Sequence, residues 1–251
     1  MDARKNGLMY RWSLKQCLSY FGYIVYGIFY NLIVVKKTHE DYQILNVIVF
    51  NFLFCLSVTS HLVTSLINPG DPLLYIKNNN RQADSIYLHC TICNKEINLF
   101  SRHCVTCNKC IYKYDHHCYW VNNCIGSRNY KPFFVLIISS TLMCAILVSS
   151  SFTAMFLIFS TKTSFDANDE QGLTSFIIFL GLNSLISFFY FGYITTFHLV
   201  MVFKDISTYE YICKKRAKSN SHVVPRLVVD KEFISVHTEN TGISFGISFG
   251  I

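Results

Sequence analysis

Four stretches of the chain, residues 17–35, 44–67, 132–160 and 173–203, contain no Lys, Arg, Asp or Glu. A bilayer core about 30 Å thick is crossed by roughly 20 residues of helix at about 1.5 Å each. The pattern therefore predicts four membrane-spanning helices. Buried helices of a large soluble core are the competing reading, and four uncharged runs of this length in 251 residues argue against it. Between the second and third stretches lies a polar segment, 68–131. Polar segments also precede the first stretch (1–16) and follow the last (204–251).

Composition agrees, with 51% hydrophobic and only 15% charged residues, where a soluble domain carries about a quarter charged. Residues 1–15 are polar and basic and lead straight into the first apolar run, as expected of a retained span rather than a cleaved leader. The distribution of charge predicts the sidedness. Nineteen Lys and Arg fall in 1–16, 68–131 and 204–251, against three in the two remaining loops. The positive-inside rule then puts both termini and segment 68–131 in the cytosol.

Cysteine usage is uneven. Seven of eleven cysteines (Cys90, Cys93, Cys104, Cys107, Cys110, Cys118 and Cys124) fall within 90–124. A reducing compartment disfavours structural disulfides, so metal ligands plus a reactive thiol are the better reading. Two thiolates spaced Cys-x-x-Cys converge on one tetrahedral ion, and soft thiolate and imidazole donors favour zinc over calcium or magnesium. Two Cys3His sites would use six of these cysteines and two of the histidines His89, His103, His116 and His117. One cysteine is left over. Cys118 stands out, because it follows Asp115-His116-His117 and has no Cys-x-x-Cys partner. An imidazole beside a thiol promotes the thiolate, and a carboxylate orients the imidazole. The residues alone also allow a purely structural zinc module, with Asp115 capping a turn and both histidines on metal.

The order Cys90-x2-Cys93-x9-His103-Cys104-x2-Cys107-x2-Cys110-x4-Asp115-His116-His117-Cys118-x5-Cys124 resembles the DHHC family of protein S-acyltransferases. The resemblance continues through residues 120–126, Asn129 and Phe133. Asn68-Pro69-Gly70-Asp71 looks like the family's Asp-Pro-Gly element, and Ser207-Thr208-Tyr209-Glu210 like its Thr-Thr-x-Glu element. Two positions depart from the pattern: Phe100 stands where the family usually has Arg, and Tyr119 where Pro is common. A subgroup of the family also lacks that Pro.

This resemblance implies an all-α membrane protein with four transmembrane helices and a cytosolic zinc-binding cysteine-rich domain between spans 2 and 3. Its parts are a cytosolic N-terminus (1–16), helices 1 and 2 (17–67), the zinc domain (68–131), helices 3 and 4 (132–203) and a cytosolic tail (204–251). The implied activity is palmitoyl transfer from acyl-coenzyme A to protein cysteines through an acyl-enzyme on Cys118, with His116 as general base and Asp115 orienting it. Two structural zinc ions would be held by Cys90, Cys93, His103 and Cys110, and by Cys104, Cys107, His117 and Cys124. Partners are the bilayer, the acyl donor and cysteine-containing proteins, without nucleic acid, in the endoplasmic reticulum, Golgi or another endomembrane. The competing reading is a catalytically impaired, zinc-stapled membrane adaptor.

Other features remain. Small and polar residues in the third and fourth spans (among them Ser139, Ser150, Asn183 and Ser187) suit close helix packing and also a cavity for an acyl chain. Asn46, Asn51 and His61 are polar within the second span, and the sequence assigns them no role; His61 is near enough to the cytosolic end to reach the interface. Lys95, Arg102, Lys109, Lys113, Arg128 and Lys131 serve topology first and coenzyme A phosphates second. A basic patch at 214–218 follows the last span. A Gly-Ile-Ser-Phe repeat in 242–251 has no evident chemistry. The spacing of a RING ubiquitin ligase is absent, and no charged residue within a span marks an ion path.

Overall fold

The computed structural model describes residues 3–9, 12–75, 87–161, 169–219 and 234–235. The Gly-Ile-Ser-Phe repeat lies outside them. Among the described residues, four helices are long and apolar enough to cross a membrane: Leu14–Lys37, Glu40–Leu66, Tyr130–Ser160 and Gly172–Phe203. The first comprises α1 (Leu14–Phe29) and continues through a π turn (Tyr30–Val34) and a short 3-10 turn (Val35–Lys37). The others are α2 (Glu40–Leu66), α3 (Tyr130–Thr161) and α4 (Asp169–Phe203). A shorter helix, α5 (Thr208–Ser219), follows the last span.

Polar side chains join these helices where water is absent. Asn31 and Asn51 exchange amide hydrogen bonds between α2 and the π turn. Ser57 donates to Ser139 at 2.9 Å, and Tyr30 meets Ser150 at 3.3 Å. Asn51 thus has a packing role. His61 is buried and faces Tyr23 and Tyr20.

The all-helical expectation also gives way in the cysteine-rich segment, which is built of three antiparallel hairpins. They are β1–β2 (Tyr87–Cys90, Lys95–Asn98), β3–β4 (Ser101–Cys104, Lys109–Tyr112) and β5–β6 (His116–Cys118, Asn123–Ile125). A two-residue strand, β7 (Ile234–Ser235), pairs with β1.

The hairpins repeat one another. His89-Cys90-Thr-Ile-Cys93-Asn94 and His103-Cys104-Val-Thr-Cys107-Asn108 recur, at 14-residue spacing, as His117-Cys118-Tyr-Trp-Val121-Asn122. In each hairpin the strand ends at the His-Cys pair, and the Asn closes the turn at a φ of 48°, 49° or 52°. Asn tolerates this left-handed conformation better than most residues. In the third hairpin Val121 occupies the place of the second cysteine and packs, fully buried, with Phe133, Leu136 and Ile137 of α3. A hydrophobic contact with a spanning helix takes the place that a thiol pair holds in the other two.

The last carbonyls of a helix have no partner within it. At the end of α2, Asn123 donates its amide to Thr64, Ser65 and Ile67, and Asn129 donates to Thr64. The third hairpin is thereby seated on the helix terminus. Asp71, fully buried just after α2, accepts from the Asn98 backbone and side chain and from Ser101, which anchors the first two hairpins. The N-terminal segment lies across the same end: Arg4 N–H donates to Cys107, Gly7 N–H to Ser65, and the Asn122 side chain to Gly7.

Candidate active site

Two quartets of donors form between neighbouring hairpins. His103 Nδ1 lies 3.7, 3.3 and 3.8 Å from the sulfurs of Cys90, Cys93 and Cys110. His117 Nδ1 lies 3.8, 3.4 and 3.4 Å from those of Cys104, Cys107 and Cys124. A tetrahedral zinc with bonds of about 2.3 Å to sulfur and about 2.0 Å to nitrogen sets its ligands about 3.5 Å apart for N···S and about 3.8 Å for S···S. The measured S···S separations, 3.7 Å for Cys93 to Cys110 and 3.4 Å for Cys107 to Cys124, are close to that geometry. The donor set therefore fits the ion.

Protonation follows from the crowding. Hydrogen bonds from Cys110 and His103 bring Cys93 down to about 5, whereas the anionic Cys93 pushes Cys110 up. In the other quartet Cys104 is held low by Cys107 and Cys124, and Cys107 rises to about 11. Several thiolates this close repel one another unless a cation lies among them.

Cys118 belongs to neither quartet. Asp115, buried behind it, holds His116 Nδ1 at 2.7 Å through Oδ2 and accepts the Thr208 backbone N–H at 2.7 Å on Oδ1. Thr208 begins α5, whose start is a capping box: Glu210 N–H donates to the Ser207 hydroxyl, and Ser207 N–H to the Glu210 carboxylate. His116 turns its other side to Cys118. Burial disfavours the imidazolium, but hydrogen bonds to Asp115 and Cys118 outweigh it and raise the ring to about 9. Burial likewise pushes the Cys118 thiol up, and His116 with the backbone N–H groups of Val121 and Trp120 brings it below its ordinary value. Each group thus favours the charged form of the other.

The sulfur opens into a cavity of about 690 Å³ running down between α1, α3 and α4, lined by Tyr23, Leu136, Phe191 and Ile194. Deeper, Tyr26 from α1 hydrogen-bonds Asn183 and Ser187 of α4, which also line it. The small polar residues therefore divide between helix packing (Ser139, Ser150) and the cavity (Asn183, Ser187).

The family model described as DHHC palmitoyltransferase matches residues 84–215. The chain belongs to the DHHC family. It is also similar to the probable protein S-acyltransferase 19 of Arabidopsis thaliana, at 36% identity over 178 residues. That alignment covers 65% of this chain and 24% of the relative, so the chain spans about a quarter of the length of the curated relative it matches.

The two departures from the DHHC pattern are on the surface. Phe100 is exposed, and Tyr119 packs its ring against His117 at 4.8 Å while its carbonyl accepts the Ser13 hydroxyl. Three of the six basic residues weighed for phosphate contact are already engaged. Lys109 is buried on the Lys5 carbonyl and Asn68, Lys95 reaches the Leu74 carbonyl, and Arg102 binds the carbonyls of Leu99 and Ser101. One residue beside the site has no counterpart in the sequence reading: His198 of α4, whose ring centre lies 5.8 Å from that of His116.

Proposed function

We propose that this chain is a protein S-acyltransferase that moves a fatty acyl group, typically palmitoyl, from acyl-coenzyme A to protein cysteines through a thioester on Cys118. The observation that carries the reading is a thiol outside both metal quartets, beside the His116–Asp115 pair, at the mouth of an apolar cavity.

In the first half-reaction the Cys118 thiolate attacks the thioester carbonyl, the bond to coenzyme A sulfur breaks, and the leaving thiolate takes the proton from His116. In the second, His116 accepts the proton of a substrate cysteine, whose sulfur attacks the acyl-enzyme and releases the Cys118 thiolate. Asp115 holds the imidazole throughout. Burying an acyl chain in the cavity contributes about 0.8 kcal/mol per CH2, which holds the donor while its thioester sits beside Cys118.

Zinc at Cys90, Cys93, His103 and Cys110, and at Cys104, Cys107, His117 and Cys124, would hold neighbouring hairpins together and leave the nucleophile free. The cysteine-rich domain (68–131), the N-terminal segment (1–16) and the tail (204–251) face the cytosol in this reading. The lysine and arginine bias supports that side, and the convergence of the N-terminal segment, the hairpins and α5 at one end of the helices supports their sharing it. Endoplasmic reticulum, Golgi or another endomembrane is the proposed location.

The test is incubation of the solubilised full chain with labelled palmitoyl-coenzyme A, with zinc content measured alongside. A hydroxylamine-sensitive label present in the wild type and lost in Cys118→Ser is expected. Equal labelling of both would place the acyl group elsewhere, and no labelling in either would favour a non-catalytic adaptor.

A further inference from the structure

Asp115 holds one nitrogen of the His116 ring at 2.7 Å, and Cys118 lies to its other side in the same cavity wall. A bond at one nitrogen fixes that end of the ring but leaves it free to swing about the bond. What limits the swing is packed against one side of the ring. The Phe133 ring stands edge-on at 5.4 Å and the His198 ring lies tilted at 5.8 Å, and those two rings are 5.0 Å apart.

His198 is itself fixed. It is buried on α4, and Tyr130 at the start of α3 holds its Nδ1 at 3.2 Å. Ligating atoms of Asp115, His116 and His198 all lie within 4.8 Å of one another. An imidazole in a membrane-spanning helix is costly unless its polar atoms are engaged, and here Tyr130 engages it directly beside the nucleophile.

We propose that His198, pinned by Tyr130, is a positioning residue: with Phe133 it backs the His116 ring from one side and keeps it turned from Asp115 toward Cys118. The two residues work as one device spanning α3 and α4. The inference rests on the acyltransferase reading only for the identity of the acyl donor.

The test measures site-resolved iodoacetamide alkylation of Cys118 at one fixed pH in the zinc-loaded full chain, with Cys213 of α5 as an internal reference. Acyl-enzyme formation from palmitoyl-coenzyme A is followed in parallel. His198→Ala should slow alkylation of Cys118 about tenfold, and Tyr130→Phe about fivefold, the loss of one hydrogen bond. His198→Phe keeps a ring but loses the pin, so adding Tyr130→Phe to it should slow the reaction no further. Acylation at saturating donor should fall in step while the half-saturating concentration stays within about twofold, a split that general misfolding would not give. Wild-type alkylation in His198→Ala, or losses that multiply in the double variant, would overturn the proposal. Absence of acylation in the wild type would instead overturn the acyltransferase reading, and the alkylation series would still decide the role of His198.

Discussion

Replacing Thr208 by Pro, set beside Thr208→Val, isolates one hydrogen bond. Thr208 is the first residue of α5, preceded by the N-cap Ser207, and its backbone N–H donates to Asp115 at 2.7 Å. Pro is favoured at the first helical position, where the N–H has no partner within the helix. The substitution therefore keeps α5 and its capping box and deletes the donor together with the buried Thr208 hydroxyl, which Thr208→Val removes alone as the control. A hydrogen bond to a charged acceptor contributes roughly 1.5–3 kcal/mol. The lower end applies here, because Asp115 keeps His116 on its other oxygen, and it corresponds to about a tenfold change in rate. Quench-flow measurement of acyl-enzyme formation should show about that loss, with two zinc ions and an unchanged helical signal in circular dichroism. A Thr208→Pro rate within twofold of wild type, with helix and metal retained, would refute the claim that α5 orients Asp115 through this bond.

Three further outcomes follow from the geometry. Cys110→Ala should lower metal content from two ions to one per chain by elemental analysis, whereas Cys118→Ala should keep both. Asp71→Ala leaves the backbone N–H of Asn98 and the hydroxyl of Ser101 without their buried acceptor; at roughly 1–3 kcal/mol for each such group, thermal unfolding should shift clearly downward. Gly7→Ala puts a Cβ 2.3 Å from the Val121 carbonyl, so the N-terminal segment must leave the turn after Cys118; faster proteolysis at Arg4 and several-fold slower acylation are expected.

The spans were legible because uncharged runs of more than eighteen residues have few other physical explanations. The hairpins were not, because strands of three or four residues are too short for alternation to register, and thiol spacing said nothing about the chain between ligands. The internal repeat was nonetheless present in the letters: aligning His-Cys-x-x-Cys-Asn with His117-Cys118-Tyr-Trp-Val121-Asn122 would have marked Cys118 by position as well as by its neighbours. Other features depend on distant parts of the chain meeting. Lys109 reads as a solvated cation until Lys5 and Asn68 are brought to it, and His198 reads as an isolated polar residue in an apolar span until α3 and α4 set it beside His116.

The repeat makes the two candidate metal sites unequal. Each quartet takes its first two cysteines from one hairpin and its histidine and last cysteine from the next, so the hairpins are linked in series and the third is the terminal link. The quartet of Cys104, Cys107, His117 and Cys124 grips that link through the residue directly before Cys118. The quartet of Cys90, Cys93, His103 and Cys110 acts one joint farther back, and the third hairpin keeps its own moorings on α2 through Asn123 and Asn129. Under a mild chelator or oxidant the protein should therefore fail in two stages. Loss of the distant ion loosens the surface around Lys95 and leaves the nucleophile in place, whereas loss of the nearer one releases His117 and takes the nucleophile out of register.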